Sequence, residues 1–183
     1  DGTGMTSAPA VVSMAVTETK AEGELRSFEA LLCKLAKESA VLVVNVIPQL
    51  EQLLLSDLPD QRQSAVKMAG QLLGCLGKSD GEHLFSVWCG RRNDKSSGVR
   101  ATWLKSAVGL LSIDGLFYAS NTLLQMYGER LEDPDAAIRQ RACEGLSELP
   151  HNILQRSISI LEGIMERCKD KKEEVRKAAL RLC

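Results

Sequence analysis

Four arginines recur along the chain, and each follows a turn that begins with an aspartate. The arginines lie 37 to 39 residues apart. A guanidinium presents paired N–H donors that match a carboxylate, so the pattern predicts a structural ladder in which each arginine bonds the aspartate or the turn carbonyls of a neighbouring repeat. The predicted ladder residues are Asp57, Arg62, Asp94, Arg100, Asp133, Arg139, Asp170 and Arg176. The alternative is a row of cations that binds an acidic ligand.

A second group combines tryptophan with basic side chains and is a candidate site for a partner protein or an anion. Tryptophan and arginine are common at binding hot spots, and cations attract acidic ligands. The candidates are Trp88, Arg91, Arg92, Lys95, Arg100 and Lys105. The alternative is that Trp88 and Trp103 fill the core and the cations are solvated. A further basic cluster at 169–181 is interleaved with acidic residues, which favours ordinary helix surface.

The chain lacks the usual sequence patterns of catalysis and metal binding. Its six cysteines are scattered singly and its two histidines are far apart, so no cluster has the short spacing that zinc ligands require. Residues 74–79 resemble the end of a phosphate-binding loop, but Leu72 stands where that loop needs a glycine. Neither histidine accompanies a Gly-x-Ser-x-Gly elbow. We therefore expect a protein that is not an enzyme and that uses no metal or cofactor.

The elements that carry these residues are predicted to be amphipathic helices, because apolar residues recur with a period near 3.6. The predicted ranges are 24–37, 41–55, 59–76, 82–91, 97–111, 116–131, 134–149, 151–168 and 171–183. Pro48 is expected to kink the second of these helices, and 77–81 is expected to be a loop. Ala65, Val66, Ala69, Leu72 and Leu73 are expected to face inward.

Two of the repeated turns carry helix-start signals. Asp133 is expected to cap its helix, with Pro134 at the first helical position, where the missing N–H has no partner anyway. Asp170 and Glu173 have the spacing of a capping box.

Helix pairs at this interval are typical of solenoids. We predict an all-α fold, an α-α superhelix of the HEAT-repeat kind with about four helix pairs and a leading helix. Residues 1–22 are expected to be flexible or poorly placed, and 23–183 to form the solenoid. The sequence does not begin with methionine and stops inside the fourth repeat, so we expect a piece of a longer chain whose end faces are apolar.

Net charge and hydropathy restrict the kinds of partner that the chain is expected to bind. The net charge of −1 gives no global field that marks nucleic acid or an acidic membrane. No run approaches the roughly 18 uninterrupted apolar residues of a membrane span. Scattered cysteines favour free thiols in a reducing compartment.

Two stretches go beyond a generic repeat, namely 46–51 (VIPQLE) and 88–100 (WCGRRNDKSSGVR). They resemble motifs of the fungal cohesin regulators named for precocious dissociation of sisters, with Cys89 where leucine is expected. The resemblance covers about residues 24–183. It implies a large, hook-shaped, non-catalytic HEAT protein of the nucleus, of which this sequence is an interior segment of the N-terminal half.

The resemblance also implies partners. Such a protein binds the kleisin subunit of cohesin and works with the releasing factor and the acetyltransferase to maintain and release sister-chromatid cohesion. Its contact with chromatin is indirect, and no membrane is involved. Some family members hold an inositol polyphosphate on a basic surface, which makes that molecule a candidate ligand without assigned residues. The alternatives are a HEAT or armadillo transport receptor, a phosphatase scaffold, and a direct DNA binder with steeply salt-dependent affinity.

Overall fold

A computed structural model of the chain describes residues 31–32, 34–36, 38–39, 43, 45–113 and 120–183. Every regular element in these ranges is a helix, and the prediction of an all-α HEAT-repeat solenoid is confirmed. The predicted segment 1–22, most of the predicted helix 24–37 and residues 114–119 lie outside the described residues. Residues 31–32, 34–36, 38 and 43 are helical and precede the repeats.

Nine α-helices follow from residue 47 onward within the described ranges. They are α1 Ile47–Leu54, α2 Pro59–Leu73, α3 Lys78–Gly90, α4 Ser97–Leu111, α5 Asn121–Gly128, α6 Ala136–Ser147, α7 His151–Leu154, α8 Ile158–Arg167 and α9 Glu173–Leu180. Short 3₁₀ helices, Arg91–Asn93 and Glu129–Glu132, prolong α3 and α5.

The helices form four successive pairs, α1–α2, α3–α4, α5–α6 and α8–α9. The second helices of the pairs stack in one row, α2 on α4, α4 on α6 and α6 on α9. The first helices stack on the other side, with α1 against α3 and α5 against α8. Each pair therefore buries its apolar face against its neighbours, as the spacing of the repeats predicts.

The core runs continuously between the two rows of helices. In α2 the five residues that the periodicity placed inward, Ala65, Val66, Ala69, Leu72 and Leu73, are all buried. Burying one leucine side chain stabilises a fold by roughly 1.5–3 kcal/mol. These apolar rows therefore supply the main stabilisation of each repeat.

Pro48 lies in the first turn of a helix and not in the middle of one, where it was expected to cause a kink. Asn45 and Val46 form a turn, and α1 starts at Ile47 with Pro48 in its first turn. A first-turn residue has no helical partner for its N–H, so proline is accommodated there without a break. The predicted loop at 77–81 is also wrong, because α3 begins at Lys78 directly after the extended Gly77.

The two predicted helix caps are shifted by two residues. Asp135, not Asp133, caps α6, and its carboxylate accepts a hydrogen bond from the Ala137 amide. At α9 the cap position is Lys172, so Asp170 and Glu173 do not form a capping box. The aspartates predicted as caps point instead into the junctions between repeats.

Candidate functional site

The junction between the second and third repeats shows how the recurring arginines are used. Arg100 donates to both carboxylate oxygens of Asp133, from Nε to Oδ2 at 2.9 Å and from Nη2 to Oδ1 at 2.9 Å. Its Nη1 donates to the carbonyl of Asp94 in its own turn, at 2.8 Å. One guanidinium therefore closes its own turn and also holds the turn of the next repeat.

The same arrangement occurs at the two other junctions between successive repeats. Arg62 binds Asp94 with Nε–Oδ2 and Nη2–Oδ1 distances of 2.7 and 2.8 Å. Arg139 binds Asp170 with corresponding distances of 2.8 and 2.9 Å. Arg176 donates to the Asp170 carbonyl at 2.8 Å, and no carboxylate among the described residues pairs with it. From Arg62 to Asp170 the predicted residues thus come together as a ladder along the turns.

Each ladder aspartate is buried and also holds its own turn together. Asp94 Oδ1 accepts from the Ser96 amide at 2.9 Å, and Asp133 and Asp170 accept in the same way from the amides two residues later. Asp133 is only 2% exposed. A buried carboxylate is tolerated only when paired and hydrogen-bonded, and these side chains meet both conditions.

A second row of arginines shares the same aspartates and was not found from the sequence. Arg91, Arg130 and Arg167 lie three residues before the ladder aspartates and donate to them from Nη1 at 3.3, 3.1 and 3.4 Å. Arg-x-x-Asp places both side chains on one side of a helical turn, and this spacing is the signal that sequence analysis missed. Each buried carboxylate is therefore held by two guanidinium groups.

The first repeat departs from the pattern, and its predicted ladder residue was wrong. Asp57 is exposed and hydrogen-bonds Arg62 through its backbone carbonyl. Ser56 occupies the ladder position: Arg62 donates to the carbonyls of Ser56 and Asp57, as Arg100 does to those of Asp94 and Lys95. The Ser56 hydroxyl also accepts from the Leu58 amide at 3.2 Å, the bond that the aspartates make in later repeats.

The ladder bonds hold the Asp94 and Asp170 carboxylates in their charged form. Hydrogen bonding from Arg139, opposed by burial, lowers the pKa of Asp170 to about 2. At Asp94 burial acts to raise the pKa, but the bonds from Arg62 and from the Ser96 amide together lower it. The pKa of Arg62 is raised by its bond to Asp94.

The candidate partner or anion site is not assembled in the structure. Trp88 and Trp103 are fully buried, with ring centroids 5.2 Å apart, and the Trp88 indole donates to the Val66 carbonyl at 3.0 Å. Both tryptophans fill the core between the first and second repeats, so Trp88 is unavailable to a partner.

The cations of that candidate site are divided among different roles. Arg92 donates to Glu129 of the next repeat at 2.9 Å, Arg91 pairs with Asp94, and Arg100 is buried in the ladder. Only Lys95 and Lys105 are exposed. Lys95 lies on the turn side and Lys105 on the outward face of α4, so the six residues do not form one surface.

An open groove follows the exposed faces of the second helices, and Lys105 lies in it. The groove has a volume of about 860 Å³ and runs along α2 and α4, with Arg141 of α6 at its edge. Helices α2 and α4 approach closely because Gly70 has no side chain; a Cβ there would lie 2.7 Å from the Ser106 Cβ. Gly98 and Gly109 of α4 also line the groove, and Gly109 is exposed.

Three further properties of the described residues bear on function. They contain no group of histidine, cysteine and carboxylate side chains arranged to hold a metal ion. Burial raises the pKa of the Cys89 and Cys143 thiols to about 12, which keeps both side chains as neutral thiols. Across the same residues, no helix has the length and apolar character needed to cross a membrane.

Stacked helix pairs joined by this ladder define a HEAT-repeat solenoid, a class of protein that presents extended surfaces to other macromolecules. The family model described as "Sister chromatid cohesion protein PDS5 protein" matches residues 10–182, and the chain belongs to this family. This family assignment confirms the resemblance found in the sequence and does not favour the transport-receptor or phosphatase-scaffold alternative.

Two individual relatives show how the chain relates to longer proteins. "Sister chromatid cohesion protein pds5" of Schizosaccharomyces pombe is 28% identical over an alignment of 156 residues, and the match covers 82% of this chain and 13% of that protein. A solved structure described as "Structure of the Pds5-Scc1 complex and implications for cohesin function" matches with a TM-score of 0.74 and 20% identity. The match covers 84% of this chain and 24% of that one, and it shows the fold.

Proposed function

We propose that this chain is a non-catalytic scaffold segment of a cohesin regulator and that its protein binds the kleisin subunit of cohesin. In this proposal residues 23–183 form one solenoid segment that acts in the nucleus, together with the release and acetylation factors of cohesin. The observation that carries the proposal is the family match across residues 10–182. The complex of a structurally similar protein with Scc1 supports it.

The chemistry of the described residues supports a binding role. The recurrent charged residues join the repeats, and an open groove with exposed cations runs along the second helices. Solenoids of stacked helix pairs commonly bind partners along such surfaces. Inositol polyphosphate binding stays a prediction without assigned residues, since Arg91, Arg92 and Arg100 are engaged in ion pairs.

A binding titration of the purified protein against the cohesin kleisin tests this function. We expect saturable binding by biolayer interferometry that is retained at moderate salt. A folded protein that shows no kleisin binding would contradict the proposal. A duplex DNA titration serves as the comparison: direct DNA binding predicts a steep fall of affinity with salt concentration, whereas a kleisin scaffold predicts little DNA binding.

A further inference from the structure

The groove along α2 and α4 carries positive charge that the fold does not use. Lys105 and Arg141 are exposed groove residues, and neither forms an ion pair or hydrogen bond with another side chain of the described ranges. Lys67 also lines the groove, whose one acidic lining residue is Asp60 at the start of α2. The lining is therefore net positive although the whole chain carries −1.

The shape of the groove favours an elongated ligand. Its lining extends from Asp60 to Gly74 on one side and from Gly98 to Ile113 on the other. At about 1.5 Å per helical residue, this is a length of roughly 22 Å. An extended peptide advances about 3.3 Å per residue, so about six or seven residues cover the distance.

The floor of the groove becomes apolar toward the C-terminal end of α4. Leu110 lines it there, and Ile113 is 41% exposed at the same end. The open position at Gly109 lies one residue before Leu110, and a Cβ built on it meets no atom within 4 Å. The groove thus offers the exposed cations Lys105 and Arg141 and an apolar contact at one end.

From this geometry we propose that the groove binds an extended acidic segment of a partner protein, about six or seven residues long, that places an apolar side chain against Ile113. Its carboxylates pair with Lys105 and Arg141, whose charges are complementary to them. The proposal deepens the proposed function, on which it rests, because it names the chemistry of the segment that such a scaffold takes.

The probe is a fluorescein-labelled heptapeptide of alternating glutamate and leucine. The purified chain is titrated into this peptide, and binding is followed by fluorescence anisotropy. We expect saturable binding that weakens as salt rises, because exposed ion pairs are screened. A matched peptide with lysine in place of glutamate should bind at least tenfold more weakly. Equal binding of the two peptides would overturn the proposal.

Charge and steric variants locate the site. Lys105→Glu and Arg141→Glu are each expected to weaken binding about three- to tenfold, the range for loss of an exposed pair plus new repulsion. Gly109→Leu should fill the groove and reduce binding at least tenfold, whereas Gly90→Leu, also at an open glycine but outside this groove, should leave it unchanged. Circular dichroism checks that each variant keeps its helices. If Gly109→Leu unfolds the chain, the proposal is tested by Lys105→Glu and Arg141→Glu alone, and unchanged peptide binding in both variants would overturn it.

Competing ligands and the kleisin assignment are tested separately from the groove. A single-stranded oligonucleotide that binds in the groove more tightly than the acidic peptide would make the groove a nucleic-acid site and overturn the proposal. If the unmodified protein does not bind kleisin but binds the acidic peptide through the groove, the kleisin assignment alone is contradicted. Kleisin binding that is unaffected by Lys105→Glu, together with no peptide binding, would remove the groove proposal alone.

Discussion

The turns between paired helices and the groove on the second helices both contain basic residues, but the two regions use them differently. On the turn side, Arg100 and Arg130 converge on the buried carboxylate of Asp133. In the groove, Lys105 and Arg141 face solvent without a partner in the described part of the chain. The first arrangement joins repeats to one another, and the second leaves charge available to a ligand.

The difference shows why charge content alone does not locate a binding site in a solenoid. Arg91, Arg92 and Arg100 form a dense basic cluster in the sequence, yet each is taken up by an acidic residue of the same or the next repeat. The groove cations are sparse in the sequence and come from different helices. Position relative to the repeat junctions, not local density, separates structural from available charge.

The largest effect is expected from the ladder itself. Asp133→Asn removes the buried charge on which the Arg100 and Arg130 guanidinium groups converge, and breaking a buried pair costs about 3–5 kcal/mol. The free energy of unfolding, measured by urea denaturation, should fall by about that amount. The control Glu132→Gln changes an exposed neighbouring acid and should alter stability by less than about 0.5 kcal/mol. Similar losses in both variants would contradict the assigned role of the ladder.

Alanine substitutions at two glycines, one in a packed junction and one in the open groove, are expected to have opposite effects on stability. At Gly145 a Cβ would press on the Tyr127 hydroxyl and lie 2.9 Å from Val108 Cγ2, so Gly145→Ala should cost about 1–3 kcal/mol. At Gly109 the Cβ meets nothing within 4 Å, and alanine should add about 0.5–1 kcal/mol through its better helix propensity. Thermal melts of the two variants should shift in opposite directions; a shift of the same sign would argue against this packing.

Acid should weaken the ladder through its carboxylates. The pKa of Asp170 is lowered to about 2 in the folded chain, below its ordinary value of 3.8. Its contribution, roughly 2 kcal/mol, is therefore complete above the unfolded-state pKa and is lost as pH falls from about 4 through about 2. Urea denaturation at several pH values should show that Asp170→Asn loses less stability than the unmodified chain over this window. Parallel pH profiles would count against the ion pair.

The smallest expected change in stability comes from Asp57, which the structure places outside the ladder. Asp57 is exposed and hydrogen-bonds Arg62 through its backbone carbonyl, which a side-chain change leaves in place, so Asp57→Asn should change stability by less than about 0.5 kcal/mol. Asp94→Asn, at a true ladder position, should cost several times more. Urea denaturation of both variants makes the comparison, and a large loss at Asp57 would reinstate it as a ladder residue.

Local chemistry made part of this fold predictable from the sequence. The helix Ser97–Leu111 was predicted with the observed bounds because a polar turn, the recurring arginine and an amphipathic run mark its start and length. The ladder pairing followed from the repeat interval and the geometry of a guanidinium. The spacing did not distinguish Ser56 from Asp57, because the first copy of the turn is one residue shorter in its Asp-to-Arg distance.

The remaining features depend on how helices approach one another, which the sequence does not specify locally. Trp88 adjoins Cys89 and a basic pair, and only the packing of α3 on α2 shows that its indole is buried against Val66. The groove depends on the close approach at Gly70 and on Arg141 from a third helix. Neither the close approach of the helices nor the position of Arg141 beside them can be predicted from composition or periodicity.

The most direct test of the central claim is a double-mutant cycle between Arg100 and Asp133. Unfolding free energies are measured for the unmodified chain, Arg100→Ala, Asp133→Ala and the double variant. If the pair joins the second repeat to the third, the sum of the two single losses should exceed the loss in the double variant by about 1.5 kcal/mol or more, within the range for residues in direct contact. A coupling within about 0.3 kcal/mol of zero would contradict the claim that the ladder holds the repeats together.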